Sequence, residues 1–236
     1  MPTTHFRNGV SNQIPGNPLF EYPYLDPFKY YSYTNDFFTY HADEWTITTT
    51  EAGGGDATEA LTSQAGGALL ITNDAADDDL DFLQLKGEAF KYVAGKNLFF
   101  KAKFKVSDAT QSDFVMGLGI TDTTPLDTTD GIFFIKADGA ATMDHLIEKN
   151  NSATTNSSVA TISDDTFVTV AFHYDPTGNG GDGSVRIFID DALVAEETTL
   201  TNIPDDEELT ISFGIQNGEA VAKTMTVDYV FAAVER

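Results

Sequence analysis

From about residue 34 onward, apolar and polar positions alternate with a period of two. Leu98, Phe100, Ala102, Phe104 and Val106 fall on one side, and Phe99, Lys101, Lys103 and Lys105 on the other. Such alternation points successive side chains to opposite faces of a strand. The pattern recurs in Phe114, Met116, Leu118 and Ile120, with Gly117 and Gly119 opposite, where the glycines leave room for close packing. Further apolar runs lie at 132–135, 143–147, 167–174, 185–189, 209–215 and 225–234. Linkers such as TDTTPLDTTDG and DPTGNGGDG between them carry turn residues. No segment holds a 3.6-residue period over three turns. DATEALTSQA at 56–65 is the best helix candidate, and NNSATTNSS at 150–158 predicts an exposed loop. Many short strands without helices predict an all-β fold, an antiparallel β-sandwich or jelly roll.

Before residue 34 the periodicity disappears. Pro15, Pro18, Pro23 and Pro27 remove backbone donors and favour an extended path. Between them stand Phe20, Tyr22, Tyr24, Phe28, Tyr30 and Tyr31. Aromatic surface without a strand or helix pattern has to lie against its own domain or a neighbouring subunit. Residues 1–33 are therefore expected to form an extended N-terminal arm, and 34–236 the sandwich. Thr34-Asn35-Asp36 reads as the turn between them. The six arm aromatics are the candidate partner-binding residues.

Composition narrows the partners. Among 236 residues, 37 Asp and Glu face 13 Lys and Arg, a formal charge of −24. That surface repels phosphate backbones and anionic membranes, so neither nucleic acid nor membrane is an expected partner. Cysteine is absent, which excludes disulfides and thiol chemistry. MPTTHFRNGV has no apolar signal region, so synthesis and solubility in the cytoplasm are expected.

Candidate chemistry is sparse. No cofactor is expected, with calcium the one option, because that ion takes six to eight oxygens on a tight turn. Asp74, Asp77, Asp78 and Asp79, flanked by Asn73 and Asp81, form one loose candidate; Asp175, Asn179 and Asp182 form another. Against both stands a solvated acidic loop. Met116-Gly117-Leu118-Gly119 precedes no helix and so makes no phosphate cradle. His173 reads as a packed strand histidine, and Trp45 as a core residue. Lys101, Lys103 and Lys105 share one strand face: either a soluble sheet edge or a docking face for an acidic partner.

The segment FVTVAFHYDPTGNGGDGSVRIFIDDALVAE at 167–196 resembles the hairpin of the concanavalin A/laminin G-like jelly-roll superfamily, and MTVDYV at 225–230 resembles its last strand. Phe167 stands where that family has Trp, and Asp191 where it has Gly. Some members hydrolyse glycans with Glu-x-Asp-x-x-Glu on one strand, which period two aims into one cleft. No Glu in this chain has an Asp two residues later, so a non-enzyme is expected. As a whole, with its MPTTHFRNGVSNQ start, YTNDFF junction, FVMGLGITDTTPL stretch and MTVDYVFAAVER ending, the chain is similar to virion structural proteins of tailed bacteriophages. The resemblance implies a capsid decoration or cement protein located in the virion. It would contact the major capsid protein or other virion proteins, and copies of itself. The alternative is a lectin-like carbohydrate-binding module of a tail fibre or adhesin.

Overall fold

The computed structural model describes residues 28–236, which form two antiparallel sheets packed face to face. The eight-stranded sheet runs β13 (Ala192–Glu197), β12 (Ser184–Ile189), β11 (Val168–Asp175), β6 (Leu98–Val106), β15 (Thr224–Glu235), β4 (Leu69–Thr72) and β3 (Thr58–Leu61). Its eighth strand, β1 (Tyr30–Asn35), pairs with β15. The seven-stranded sheet runs β10 (Ser152–Thr161), β9 (Thr142–Lys149), β8 (Gly131–Lys136), β7 (Ser112–Gly119), β14 (Thr210–Asn217), β5 (Leu80–Leu85) and β2 (Trp45–Thr50). This is the concanavalin A-like jelly roll that the 167–196 hairpin implied.

Period-two patterning places the core as expected. Leu98, Phe100, Ala102 and Phe104 of β6 are fully buried between the sheets. Phe104 meets Phe114 of the other sheet edge-on at 5.1 Å, and Trp45 meets Phe213 at 5.2 Å. Such tilted ring pairs add to area burial. Trp45 is a core residue, as its position suggested.

β15 is the spine of its sheet. Along one side it pairs with β6 from Met225 to Val234, with a register shift between Val227 and Tyr229. Along the other it pairs first with β4, over Thr224–Val227, and then with β1, over Val230–Glu235. Tyr30–Tyr33, assigned to the arm by sequence, thus belong to a sheet strand. Thr34 and Asn35 continue that strand rather than turning.

Two local expectations need correction. The helix candidate at 56–65 contains β3, an edge strand. Its single apolar face is too short for a helix, and pairing with β4 supplies its hydrogen bonds. The stretch 150–158 is mostly β10, also an edge strand. Asn150 and Asn151 form a two-residue hairpin with φ of 50° and 60°, the geometry that favours Asn. Asp190 and Asp191 make the equivalent turn between β12 and β13, at φ 47° and 63°.

Candidate functional site

Alternate residues of the seven-stranded sheet face away from the main core. On this outer face Leu80, Phe82, Val115 and Phe133 form a second apolar cluster, joined by Leu126, Ile135 and Leu146. Glycines make space for the rings. A Cβ on Gly214 would stand 2.5 Å from Phe82, and one on Gly117 2.5 Å from Phe133 and the Ile132 carbonyl. The Phe133 ring also fills the space above Gly131. Gly117 is therefore a close-approach glycine, as its strand position suggested.

Polar groups rim this cluster at one end. The loop between β7 and β8 is held there by Gln84, whose Nε2 donates to the Ile120 carbonyl at 2.8 Å and whose Oε1 accepts from the Asp122 amide at 3.0 Å. Gly119 is buried beneath this loop, where a Cβ would stand 3.6 Å from the Asp130 carbonyl and 3.7 Å from the Thr128 side chain. Across the sheet Gly119 pairs with Gly131, and Gly131 with Glu148. Glu148 is half-buried, and its carboxyl is pushed up by burial, then by Asp127 and Asp130. Asp130 accepts from the Asn150 amide and the Thr129 hydroxyl, at 2.9 and 2.8 Å, which ties the loop to the β9–β10 hairpin. The buried Thr128 hydroxyl has no hydrogen-bond partner among the described residues. Carboxylates and an unsatisfied hydroxyl thus surround the end of an apolar patch. Sequence reasoning missed Asp127, Thr128, Asp130 and Glu148, since only folding brings the 127–130 and 148 segments together.

The sequence-predicted partner residues are dispersed. Phe20, Tyr22 and Tyr24 lie outside the described residues. Phe28 is 90% exposed. Tyr30 tilts against Phe99 with ring centroids 6.2 Å apart, and Tyr31 stacks on Phe90 at 6.1 Å. These two tyrosines pack on their own domain.

The residues named for calcium do not fit the ion. Asp79 is buried, and its two oxygens accept from the Ala52 and Ala76 amides at 2.7 and 3.1 Å. Asp74 accepts from the Gly55 amide at 3.1 Å, while Asp77 and Asp78 point into solvent. Asp74 and Asp79 thus pin backbone, while Asp77 and Asp78 are the solvated part of the run. In the second stretch, Asp175 is taken by Thr177 and by Arg186, 2.6 Å away. Among the described residues no three acidic or histidine side chains converge as metal ligands.

The lysine face changes meaning. β6 lies between β11 and β15, so it is not an edge strand. Lys101, Lys103 and Lys105 pair with Asp191, Asp228 and Asp165 at 2.6, 2.6 and 3.3 Å. Phe167 lies beneath Lys103 and Lys105 at 5.0 and 5.5 Å. Intramolecular carboxylates neutralise the face that sequence offered for docking. His173 is packed, stacked on Phe99 at 4.3 Å and bonded to Asn97. His145 sits in the core beside Phe134 and Phe172, and burial lowers its pKa to about 3.

No family model and no curated sequence matches the chain. Solved structures do share its fold. An endo-1,3-beta-glucanase from Streptomyces sioyaensis superposes with a TM-score of 0.60 at 12% identity, over 87% of this chain and 96% of that one. The carbohydrate recognition domain of Emp47p gives 0.59 at 13% identity, over 89% and 98%. The potassium-bound form of the Emp46p carbohydrate recognition domain gives 0.54 at 9%, over 84% and 94%. The glucanase corrects the expectation of a non-enzyme. Its fold is this fold, so architecture and the lack of one spacing motif are no ground for excluding catalysis.

Proposed function

We propose that this chain is a carbohydrate-binding jelly roll whose site is the rimmed end of the outer face of the seven-stranded sheet. The observation that carries the reading is the grouping of half-buried Glu148 and the unpartnered Thr128 hydroxyl around the Gly119–Gly131 backbone. Sugars need this combination: acceptors for vicinal hydroxyls and a donor. Desolvated polar groups also discriminate between ligands more sharply than exposed ones. Two of the structures with this fold are carbohydrate recognition domains, and the third acts on a glucan. A charge of −24 disfavours polyuronates, which makes a neutral oligosaccharide the fitting ligand.

Calorimetric titration of the full chain with neutral β-glucan oligosaccharides tests this. Saturable binding that weakens at least about tenfold in both Glu148→Ala and Thr128→Val supports it, at about 1.4 kcal/mol per tenfold. Binding unchanged in both variants, or no binding by any neutral oligosaccharide, sinks it.

A second reading, a capsid decoration protein on the outer surface of a phage head, draws on the aromatic arm and the acidic body. In it the arm grips the major capsid protein, and the negative domain faces away from packaged DNA. Deleting residues 1–27 should abolish binding to undecorated shells; retained binding removes this reading.

A further inference from the structure

At one open side of the sandwich, β3 of the eight-stranded sheet lies near β5 of the other. Asp81 of β5 is fully buried there. Neither of its oxygens has an aligned hydrogen-bond donor among the described residues. Its carboxyl instead meets that of Glu59 on β3. The Tyr40 hydroxyl, preceding β2, donates to the Glu59 Oε2 at 3.4 Å. Glu51, just after β2, adds a further negative charge.

No countercharge is at hand. None of the described ion pairs involves Asp81, Glu59 or Glu51. The residues opposite the pair in register are Thr49 on β2, Ile215 on β14 and Ile71 on β4, which carry no charge. A fully buried carboxyl with no donor and no cation, set against a second, half-buried carboxyl, cannot ionise cheaply, so Asp81 keeps its proton and can donate it to Glu59. Burial first, and then Glu59, raise Asp81 to about 8.

We propose that a proton carried by buried Asp81 and donated to Glu59 latches the β3 edge of one sheet to β5 of the other, and that losing this proton releases the edge. β3 is suited to such release. It has four residues and pairs only with β4. A short edge element opens locally at far lower cost than the core. Ionisation would set two like charges against each other and drive β3 away from β4, which stays paired with β15. The surface uncovered would lie along β4, where Leu69 and Ile71 are fully buried in the closed state.

Amide hydrogen exchange of the full chain between about pH 6 and 9.5, corrected for intrinsic rates, tests the latch. Protection of Thr58–Leu61 should hold to about pH 8 and then fall about tenfold per pH unit, as loss of one proton requires. Protection in β6 should stay constant. Asp81→Asn should flatten the β3 profile, because its amide can donate to Glu59 at any pH. Should that variant fold poorly, Glu59→Gln gives the same reading from the other partner. A flat wild-type profile overturns the proposal, as does a fall that persists in both variants or one that appears equally in β6.

Discussion

On the outer face of β6 three lysines stand over carboxylates and a phenylalanine ring. On the outer face of the seven-stranded sheet Phe133 of β8 lies over Gly117 of β7, and Phe82 of β5 over Gly214 of β14. Both faces flank the same inner core, yet they are finished by opposite means. The lysine face trades one set of charge contacts, with water, for another, with carboxylates, and gains little net stability. The phenylalanine face removes large apolar area from water, worth about 25 cal/mol per Å². The lesson is that the second face is a second core, and that a ligand arriving at its rim meets a rigid floor.

The most damaging test of this contrast is Phe133→Ala. Phe133 is 2% exposed, and its loss should cost about 3–4 kcal/mol in urea unfolding. A cost under about 1 kcal/mol would show that the outer cluster is not core-like. Next comes a comparison within the face. Gly117→Ala should cost about 2–3 kcal/mol, because its methyl would meet backbone at 2.5 Å. Gly119→Ala, with nothing nearer than 3.6 Å, should cost about 1 kcal/mol or less. Equal costs would break the assignment of Gly117 as a close-approach position.

Acid separates two buried groups of about that strength. Asp81 is raised from 3.8 to about 8, so the folded state holds its proton in that window and the contribution to stability falls as pH rises. His145 is lowered from 6.5 to about 3, so the unfolded state binds the extra proton and stability falls as pH drops. Between about pH 4 and 6.5 the two slopes oppose, each near 1.4 kcal/mol per pH unit. Asp81→Asn should therefore lose stability on acidification from pH 6.5 relative to the wild type, and His145→Phe should gain it. Urea midpoints across this range that move in the same direction for both variants would contradict the assignment. The smallest effect belongs to the lysine face. Replacing Lys101 or Lys105 by Ala should cost about 1 kcal/mol or less, measured by thermal unfolding at low and high salt. A larger, salt-insensitive loss would mean that the face is core-like after all.

Strands with one buried face were legible because their apolar residues keep a period of two, as in β6. β10 was not, since an edge strand of Ser, Thr and Asn carries no apolar stripe. The lysine partners were hidden by distance, with Lys103 and Asp228 separated by 125 positions. Asp79 and Asp81 looked solvated because an acidic run reads the same whether its carboxyls face water, receive backbone amides as Asp79 does, or are buried without a donor as Asp81 is. At the rim, Thr128 and Glu148 become neighbours of one surface only through the β7–β8–β9 register, which no local pattern encodes.

The placement of β15 bears on how the molecule comes to exist. The spine of the eight-stranded sheet is made after nearly every strand that needs it. During synthesis β6 has β11 on one side but lacks its other neighbour, while β1 and β4 wait for a partner that comes roughly 150 residues or more after them. Such long-range pairing slows folding and leaves strand edges open meanwhile. The eight-stranded sheet cannot close before residue 235 has left the ribosome. A nascent chain cut short within 224–235 should therefore be a substrate for chaperones rather than a smaller version of the same sandwich.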